Sequence, residues 1–205
     1  MAQIKMTKNE LRDQQRKRSQ LERYLPTLQL KKALLQTEVN NAQIELEKLQ
    51  IIAKEQELDI IKFARLFTHP NASDLEASLK IVEVKIHAEN IAGVEIPVFE
   101  EVVFEPLTYH LFDTPLWIDS AIKYLRALLS TREHIRVVEQ KKAALEKELR
   151  DVSIRVNLFE KVLIPRTDVN IKKIKVFLGD QQLSAVAQAK VAKTKIEMRK
   201  KEAAA

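Results

Sequence analysis

The 205-residue chain contains no cysteine, only two glycines, six prolines and a single tryptophan. Without cysteine it has no disulfide, no thiolate metal site and no cysteine nucleophile. Few glycines mean few sharp turns, because glycine is the residue that enters positive φ without a steric penalty. This scarcity disfavours a loop-rich globular enzyme. The rest of the composition, with 31% charged residues, is typical of long helices.

The sequence also lacks the spacings that catalytic and metal sites require. A Walker-type phosphate loop needs two glycines five residues apart, whereas Gly93 and Gly179 are far apart in the chain. No two histidines lie three or four residues apart, which is the spacing of a zinc-binding pair on a helix. The four are His69, His87, His110 and His134. Glu100, Glu101 and Glu105 are interpreted as a solvated cluster rather than as acid–base catalysts. We therefore predict a non-enzyme with no catalytic residue, no cofactor and no metal.

Long apolar runs are missing as well. No stretch approaches the about 20 apolar residues that cross a bilayer, and Met1–Thr7 has no apolar signal-peptide core. We predict a soluble protein without direct membrane insertion, so any link to a membrane goes through a partner.

Charge of each sign is concentrated in different segments. Residues 3–32 hold nine Lys and Arg against three acidic residues, and residues 181–205 hold six against two. Residues 74–119 hold ten Asp and Glu against two lysines. A basic pole suits nucleic acid or an anionic surface, but separated charges also suit a protein held at each end by a different partner. The basic run Arg12–Arg18 has no aromatic residue until Tyr24, so we predict no nucleic-acid binding.

An apolar repeat of 3.5 residues runs through the N-terminal part of the chain. Thr7 and Glu10 have capping-box spacing, which predicts a helix start at Thr7. Twelve of fourteen repeat positions are apolar, which predicts one side of a coiled coil. Pro26 has no N–H, so we expect a kink or local unwinding there. This first seam comprises Leu21, Leu25, Leu28, Lys32, Leu35, Val39, Ala42, Leu46, Leu49, Ala53, Gln56, Ile60, Phe63 and Phe67.

The middle of the chain changes period. His69–Ser73 breaks the helix, and from Leu79 onward apolar and polar residues alternate. Asn90–Gly93 reads as a turn into a second strand over Val94–Phe99, which predicts a β-hairpin near residues 80–99. Pro97 confines its strand to a sheet edge. Val102–Thr114 is expected to be irregular or extended.

A second helical half is predicted from Thr114 and Pro115, with Thr114 as the cap and Pro115 at the first helical position. Pro165 interrupts its apolar repeat, and beyond Gly179 apolar residues are only scattered. This second seam comprises Val138, Lys142, Leu145, Leu149, Val152, Val156, Phe159 and Leu163, and then Ile171, Ile174 and Leu178.

Two seams around a compact insert predict a mainly α protein, a long antiparallel two-helix coiled coil with a small β-hairpin insert at the turn-round end. We expect an N-terminal coiled-coil helix over 1–67, a central insert over 68–114 and a C-terminal coiled-coil helix over 115–205, forming one elongated unit. If Phe67 lies opposite Leu116, residues beyond about Leu178 have no antiparallel mate. They should form a single, partly frayed basic helix.

Motifs in each of these parts resemble one family. The insert contains I-x-G-V-x-I-P as Ile91, Gly93, Val94, Ile96 and Pro97. The last helix contains R-V-N-x-x-E-x-x-x-I-P and then I-x-x-I, as Arg155, Val156, Asn157, Glu160, Ile164, Pro165, Ile171 and Ile174. T-K-N-E-L begins at Thr7 and L-K-K-A-L-L at Leu30. In order and spacing these motifs resemble the D subunits of V/A-type (vacuolar/archaeal-type) rotary ATPases, bacterial branch, over nearly the whole chain.

The resemblance implies a central-stalk subunit, the rotor shaft that transmits torque between a catalytic head and a membrane ion-translocating ring. It would couple ATP synthesis or hydrolysis to proton or sodium transport. The implied partners are the catalytic and non-catalytic head subunits, the shaft-associated F subunit and the connector subunit on the membrane ring. Partner binding is assigned to the motif residues Ile91, Gly93, Val94, Ile96, Pro97, Arg155, Asn157 and Glu160, together with the tip lysines Lys190 and Lys193.

One alternative remains open on the residues alone. The basic pole also fits a cytosolic coiled-coil adaptor that binds RNA or an anionic membrane surface, and an enzyme with an atypical site ranks third. The insert favours the rotor subunit, because a simple adaptor gains nothing from I-A-G-V-E-I-P at the turn-round point.

Overall fold

The computed structural model describes residues 5–62, 64–67, 78–106, 115 and 117–202. The protein is mainly helical, with paired antiparallel helices and a two-stranded antiparallel hairpin, which confirms the predicted fold class. The elements in chain order are α1 (Lys8–Ile61), a 3-10 turn (Ala64–Leu66), β1 (Ile81–Ile91), β2 (Val94–Phe104), α2 (Trp117–Leu158), a π-helical turn (Phe159–Leu163) and α3 (Ile164–Glu202).

The start of α1 is set by Thr7. Its Oγ1 accepts a hydrogen bond from the Glu10 N–H at 3.3 Å, and its carbonyl accepts one from the Leu11 N–H at 3.0 Å. The Glu10 carboxylate accepts a bond from Gln14 Nε2 at 2.8 Å. Thr7 therefore caps the helix as predicted.

Pro26 lies inside α1, which continues through it unbroken, so the predicted local unwinding is wrong. A proline removes one backbone hydrogen bond. In a helix of 54 residues that single loss is offset by the remaining bonds and by the seam residues Leu25 and Leu28, which are half-buried on either side.

Both predicted seams form the core. Every described member of the first and second seams is buried or half-buried, and Leu35, Ala42, Leu145 and Ile174 are fully buried. The polar positions Lys32, Gln56 and Lys142 are half-buried among them. Phe63 lies outside the described residues. Burial of these aliphatic side chains, worth roughly 1.5–3 kcal/mol for each fully buried Leu, Val or Ile, stabilises the helix pair.

The structure divides into two compact units. Residues 1–30 and 153–205 form one, here called the terminal unit, and residues 31–152 form the other, the central unit. In the central unit, α1 and α2 are antiparallel: Lys31 Nζ lies 2.7 Å from Glu148 Oε1, Lys141 Nζ 3.1 Å from Glu45 Oε2, and Arg132 Nη2 2.9 Å from Glu57 Oε1. In the terminal unit, Arg18 Nε meets Asp168 Oδ1 at 2.8 Å.

The hairpin is longer than predicted. β1 and β2 pair from Ile91 opposite Val94 to Ile81 opposite Phe104, with register shifts that leave Glu100 and Val82 without an opposite residue. Of the two alternatives expected for Val102–Thr114, irregular or extended, Val102 to Phe104 is extended strand, and residues 107–114 lie outside the described residues. Glu100 forms a β-bulge, an extra residue in β2 with no partner in β1. Pairing resumes beyond it, with Glu101 opposite Lys85.

The turn-round end is described in part. The predicted helix breaker His69–Ser73 and the predicted cap Thr114 lie outside the described residues. α2 begins at Trp117, so Pro115 precedes the helix instead of occupying its first position, and its carbonyl accepts the Ile118 N–H at 3.1 Å in a tight turn. The Phe67 and Trp117 rings lie 6.2 Å apart, beside a buried cluster of Ile118, Ala121 and Ile122.

A π-helical turn precedes Pro165. The Ile164 N–H donates to the Phe159 carbonyl, one residue further back than in an α-helix. Because Pro165 has no N–H and its ring crowds the preceding turn, one wider turn lets the helix continue past it.

Beyond Gly179, α3 continues to Glu202, and every described side chain from Asp180 to Lys200 is exposed. The described side chains from Asp180 to Lys200 therefore contribute nothing to the core. Among the residues that the structure describes, no helix combines the length and the apolar character needed to cross a membrane.

Candidate partner-binding surfaces

The hairpin turn is a two-residue loop with positive φ at both central residues, 53° at Ala92 and 82° at Gly93. This combination is that of a type I′ turn, whose twist matches that of the flanking strands. Asn90 Oδ1 accepts the Gly93 N–H at 2.9 Å and so closes the loop. The predicted turn is confirmed. Gly93 occupies its second central position, where the positive φ costs glycine less than any other residue.

Arg126 of α2 holds both ends of the hairpin. Its Nε and Nη2 donate to the Ser78 carbonyl at 3.0 and 2.6 Å, and Nη2 also donates to the Glu105 carbonyl at 2.6 Å. The guanidinium also lies over the Phe104 ring, 5.0 Å from its centroid. The planar guanidinium of Arg126 therefore anchors three parts of the hairpin to α2. These are the chain just before β1, the residue after β2 and the Phe104 ring at the end of β2.

His134 fixes the middle of the hairpin to the helices. Its imidazole stacks on the Phe99 ring of β2, with centroids 4.4 Å apart and an interplanar angle of 15°. On α1, Glu45 Oε1 lies 3.6 Å from His134 Nε2, while Glu45 Oε2 pairs with Lys141. His134 thus links β2, α1 and α2.

The turn end of the hairpin approaches α1. A Cβ built on Gly93 would lie 3.9 Å from Lys31 Nζ, the amine that pairs with Glu148. Ile96 is only 1% exposed. Arg126 and His134 therefore attach the hairpin to the helices of the central unit at its base and middle, and its turn lies close to Lys31 of α1.

The outer surface of the hairpin is acidic with apolar patches. Glu89, Glu95, Glu100, Glu101 and Glu105 are exposed. Two of them have basic partners: the hydrogen bond from Lys85 to Glu101 raises the pKa of that lysine, and His87 Nδ1 lies 3.0 Å from Glu100 Oε1. The apolar side chains Val82 and Ile86 are also exposed.

The predicted hairpin residues therefore differ in what they offer a partner. Gly93 is exposed at the turn, and Ile91, Val94 and Pro97 are half-buried. Ile96 is covered by the chain itself, so its place in the motif reflects packing that fixes the hairpin. The docking residues Arg126 and His134 were not identified from the sequence, where each is one polar residue in a charged helix.

The predicted residues of the terminal unit lie on its surface. Arg155 and Asn157, in the last turns of α2, are exposed, and Glu160 in the π-helical turn is exposed to solvent as well. Lys190 and Lys193 lie on the exposed end of α3, where Lys193 Nζ is 4.0 Å from Glu197 Oε1. Within the described residues, no cluster of three or more His, Asp or Glu side chains is arranged to hold a metal ion.

Charge follows the division into units. The terminal unit contains 19 Lys and Arg against 8 Asp and Glu, a net charge of +11. The central unit contains 16 Lys and Arg against 21 Asp and Glu, a net charge of −5. Fields of opposite sign attract different partners and repel the wrong ones.

Comparison with known proteins explains this arrangement of motifs. The family model for the ATP synthase D subunit matches residues 10–194. The chain belongs to the ATP synthase D-subunit family. The V-type ATP synthase D subunit of Chlamydia abortus is 46% identical over 202 residues, covering 98% of this chain and 97% of the relative. The V-type ATP synthase D subunit of Chlamydia caviae is 47% identical over 203 residues, with the same coverage.

As a member of this D-subunit family, the chain has all ten candidate residues within the matched range. The insert motif forms the type I′ turn and the strand docked by Phe99, and the C-terminal motif spans the π-helical turn. Both motifs thus mark places where the backbone departs from a regular helix pair.

Proposed function

We propose that this chain is the central-stalk subunit of a V-type ATP synthase or ATPase. It transmits torque between the catalytic head and the membrane ion-translocating ring, and so couples ATP synthesis or hydrolysis to proton or sodium transport. The observation that carries this proposal is similarity over almost the entire length to proteins named as D subunits of V-type ATP synthases, together with paired antiparallel helices.

The paired helices suit a torsional role. A single helix twists and bends easily, whereas two helices sharing a buried seam must deform together. Within the central unit, the pairs Lys31–Glu148, Glu45–Lys141 and Glu57–Arg132 tie α1 to α2 across the seam. Each partly exposed pair adds roughly 0–1 kcal/mol of stability, but their spacing opposes sliding of one helix along the other.

The chain acts on chemistry through its partners. As an asymmetric shaft turns inside a ring of subunits, it contacts each catalytic interface differently and shifts the population of nucleotide-site conformations. In this proposal the chain is non-catalytic and needs no cofactor. It is cytoplasmic and peripherally associated with the membrane through the complex.

We assign the partners by surface. The basic terminal unit, with Arg155, Asn157, Glu160, Lys190 and Lys193, enters the head formed by the catalytic and non-catalytic subunits. The acidic central unit meets the F subunit and the connector subunit, with the hairpin as a docking element. Three apolar side chains at heptad spacing on α1 of the central unit are exposed and available for such contacts: Ile44, Ile51 and Leu58.

Affinity purification of the tagged full-length chain from its own cells tests the proposal. Stoichiometric recovery of head ATPase subunits is expected, whereas recovery of RNA without them overturns the proposal in favour of the adaptor.

The hairpin's role is tested in the same complex by deleting Asn90–Val98. Circular dichroism should show retained helices, while assembly or ATP-driven ion transport in vesicles should fall. Unchanged assembly and transport in the deletion variant remove that role.

A further inference from the structure

The helix α3 of the terminal unit buries one face in the seam and carries an exposed apolar stripe on the opposite face. Val169, Val176 and Leu183 follow one another at heptad spacing and are 49, 64 and 72% exposed. Ile171 and Ile174, which face the seam, are buried. Single exposed aliphatic residues are common, but three aligned at seven-residue intervals form the narrow seam of a helix-docking surface.

Basic side chains flank this stripe on both sides. On the helical projection, Arg166 and Lys173 lie along one edge and Lys172 and Lys190 along the other, and all four are exposed. None of these four forms an ion pair with a carboxylate of the described residues. In the sequence from Val169 to Leu183, the only acidic residue is Asp180.

We propose that this stripe docks into an apolar groove whose rim carries carboxylates, on a partner protein. The inference rests on the proposed function, under which that partner is a head subunit, and adds the chemistry of the groove. Burial of the three aliphatic side chains supplies contact area, while the flanking cations select an acidic rim and speed association. The +11 charge of the terminal unit extends the same preference beyond the stripe.

A nucleic acid fits this surface less well. Phosphates could pair with the lysines. A phosphate backbone offers no apolar surface, however, so the aliphatic side chains between the lysines would gain no apolar contact on binding. Base stacking requires aromatic side chains or arginine planes. The stripe itself offers valine and leucine, with Phe177 as the neighbouring aromatic residue, 40% exposed.

The test measures binding of the full-length chain to the purified head of its own organism by biolayer interferometry. Two variants probe the surface, Lys172→Glu with Lys173→Glu for the rim and Val176→Ser with Leu183→Ser for the groove. Matched controls lie on exposed positions of the central unit that are assigned to no partner, Lys48→Glu with Lys54→Glu and Leu34→Ser with Ile52→Ser. Thermal melting verifies that each variant folds.

We expect wild-type binding to weaken about tenfold as NaCl rises from about 50 to 300 mM, because salt screens the ionic contacts. The charge-reversal variant should lose at least about tenfold at low salt and show a flatter salt dependence. The serine variant should lose about tenfold while keeping the wild-type salt dependence, and both controls should stay within about twofold. Zero-length carbodiimide should cross-link Lys172 or Lys173 to head carboxylates.

Each contrary outcome is distinguishable. If the wild-type chain does not bind the head, the proposed function and this inference both fail. If the wild-type chain binds but neither salt nor either variant matters, only the acid-rimmed groove is wrong. Binding of a 30-nucleotide RNA or DNA duplex as tightly as the head, abolished by the charge reversal, also overturns the inference.

Discussion

The imidazole of His134 on α2 stacks almost parallel on the Phe99 ring of β2, 4.4 Å between centroids. Phe99 lies just before the bulge at Glu100, and Ile86 is its cross-strand partner. The contact joins residues from two parts of the chain that the sequence patterns treat separately, the period-two insert and the heptad helix. It determines how the hairpin is presented, because it fixes the middle of the hairpin to the helices.

Replacing Phe99 with alanine should therefore loosen the hairpin without unfolding the helices. An aromatic pair contributes roughly 0.5–1.5 kcal/mol beyond area burial. Amide exchange across β1 and β2 should accelerate, and His134→Ala should produce the same pattern. In a double-mutant cycle, the two changes should couple by about 1 kcal/mol. Ile86→Ala is the control, since Ile86 pairs with Phe99 across the hairpin but is 45% exposed. An equal effect from the control would show that strand pairing, not docking, is being measured.

The fold was predictable to the extent that it depends on repeating local patterns. The seams from Leu21 onward and from Val138 onward are read directly from apolar spacing, and the turn at Gly93 from its glycine. The docking of the hairpin was not predictable. It depends on Arg126 and His134, whose partners are separated from them in sequence and include two backbone carbonyls, which carry no side-chain signal.

The same limit applies to the candidate site. The family motifs located the hairpin and the C-terminal turn, but not which side chains are accessible. Ile96 is buried although it belongs to the motif, and the exposed stripe at Val169, Val176 and Leu183 belongs to none. The exposure of a side chain depends on which face of its helix is covered by the partner helix. Only the structure of the paired helices shows which face that is.

Arg126→Lys should destabilise the base of the hairpin nearly as much as Arg126→Met. A lysine amine cannot reproduce the planar fork that reaches both the Ser78 and Glu105 carbonyls while lying over Phe104. We expect a loss of about 1.5–3 kcal/mol in the free energy of unfolding, because charge-assisted bonds to carbonyls are lost. Arg132→Met serves as the comparison: its exposed pair with Glu57 should contribute less than about 1 kcal/mol. Full rescue by lysine would contradict the role given to the fork.

Two substitutions at the hairpin turn should act in opposite directions. Gly93→Ala places a Cβ at φ 82°, which costs about 1 kcal/mol or more. Ala92→Asn replaces a residue held at φ 53° with one that suits the first position of a type I′ turn, so hairpin stability should rise by a few tenths of a kcal/mol or more. Hydrogen exchange of the β1 and β2 amides measures both. Destabilisation by Ala92→Asn would argue against the type I′ geometry.

Leu46→Asp should lower the free energy of unfolding by several kcal/mol, because it places an unpaired carboxylate in the buried seam. Leu46 is 8% exposed, whereas the adjacent Glu47 faces solvent and accepts a hydrogen bond from Gln43. Glu47→Lys should therefore cost less than about 1 kcal/mol. Chemical denaturation of the full-length variants measures both values. Equal losses from the neighbouring substitutions would mean that the assigned helix register is wrong.

Truncation separates the exposed end of α3 from the core of the terminal unit. Removing Lys190–Ala205 deletes described side chains that are all exposed, so the melting temperature of the isolated subunit should hardly change, while binding to the head should weaken. Removing Ile154–Ala205 also deletes Val156, Ile171 and Ile174, which are buried, and should cost several kcal/mol because their apolar area returns to water. Thermal melting and head binding are measured on both truncations and on the full chain. If the short truncation melts as early as the long one, the end of α3 contributes to the core and its assignment to partner binding loses its basis.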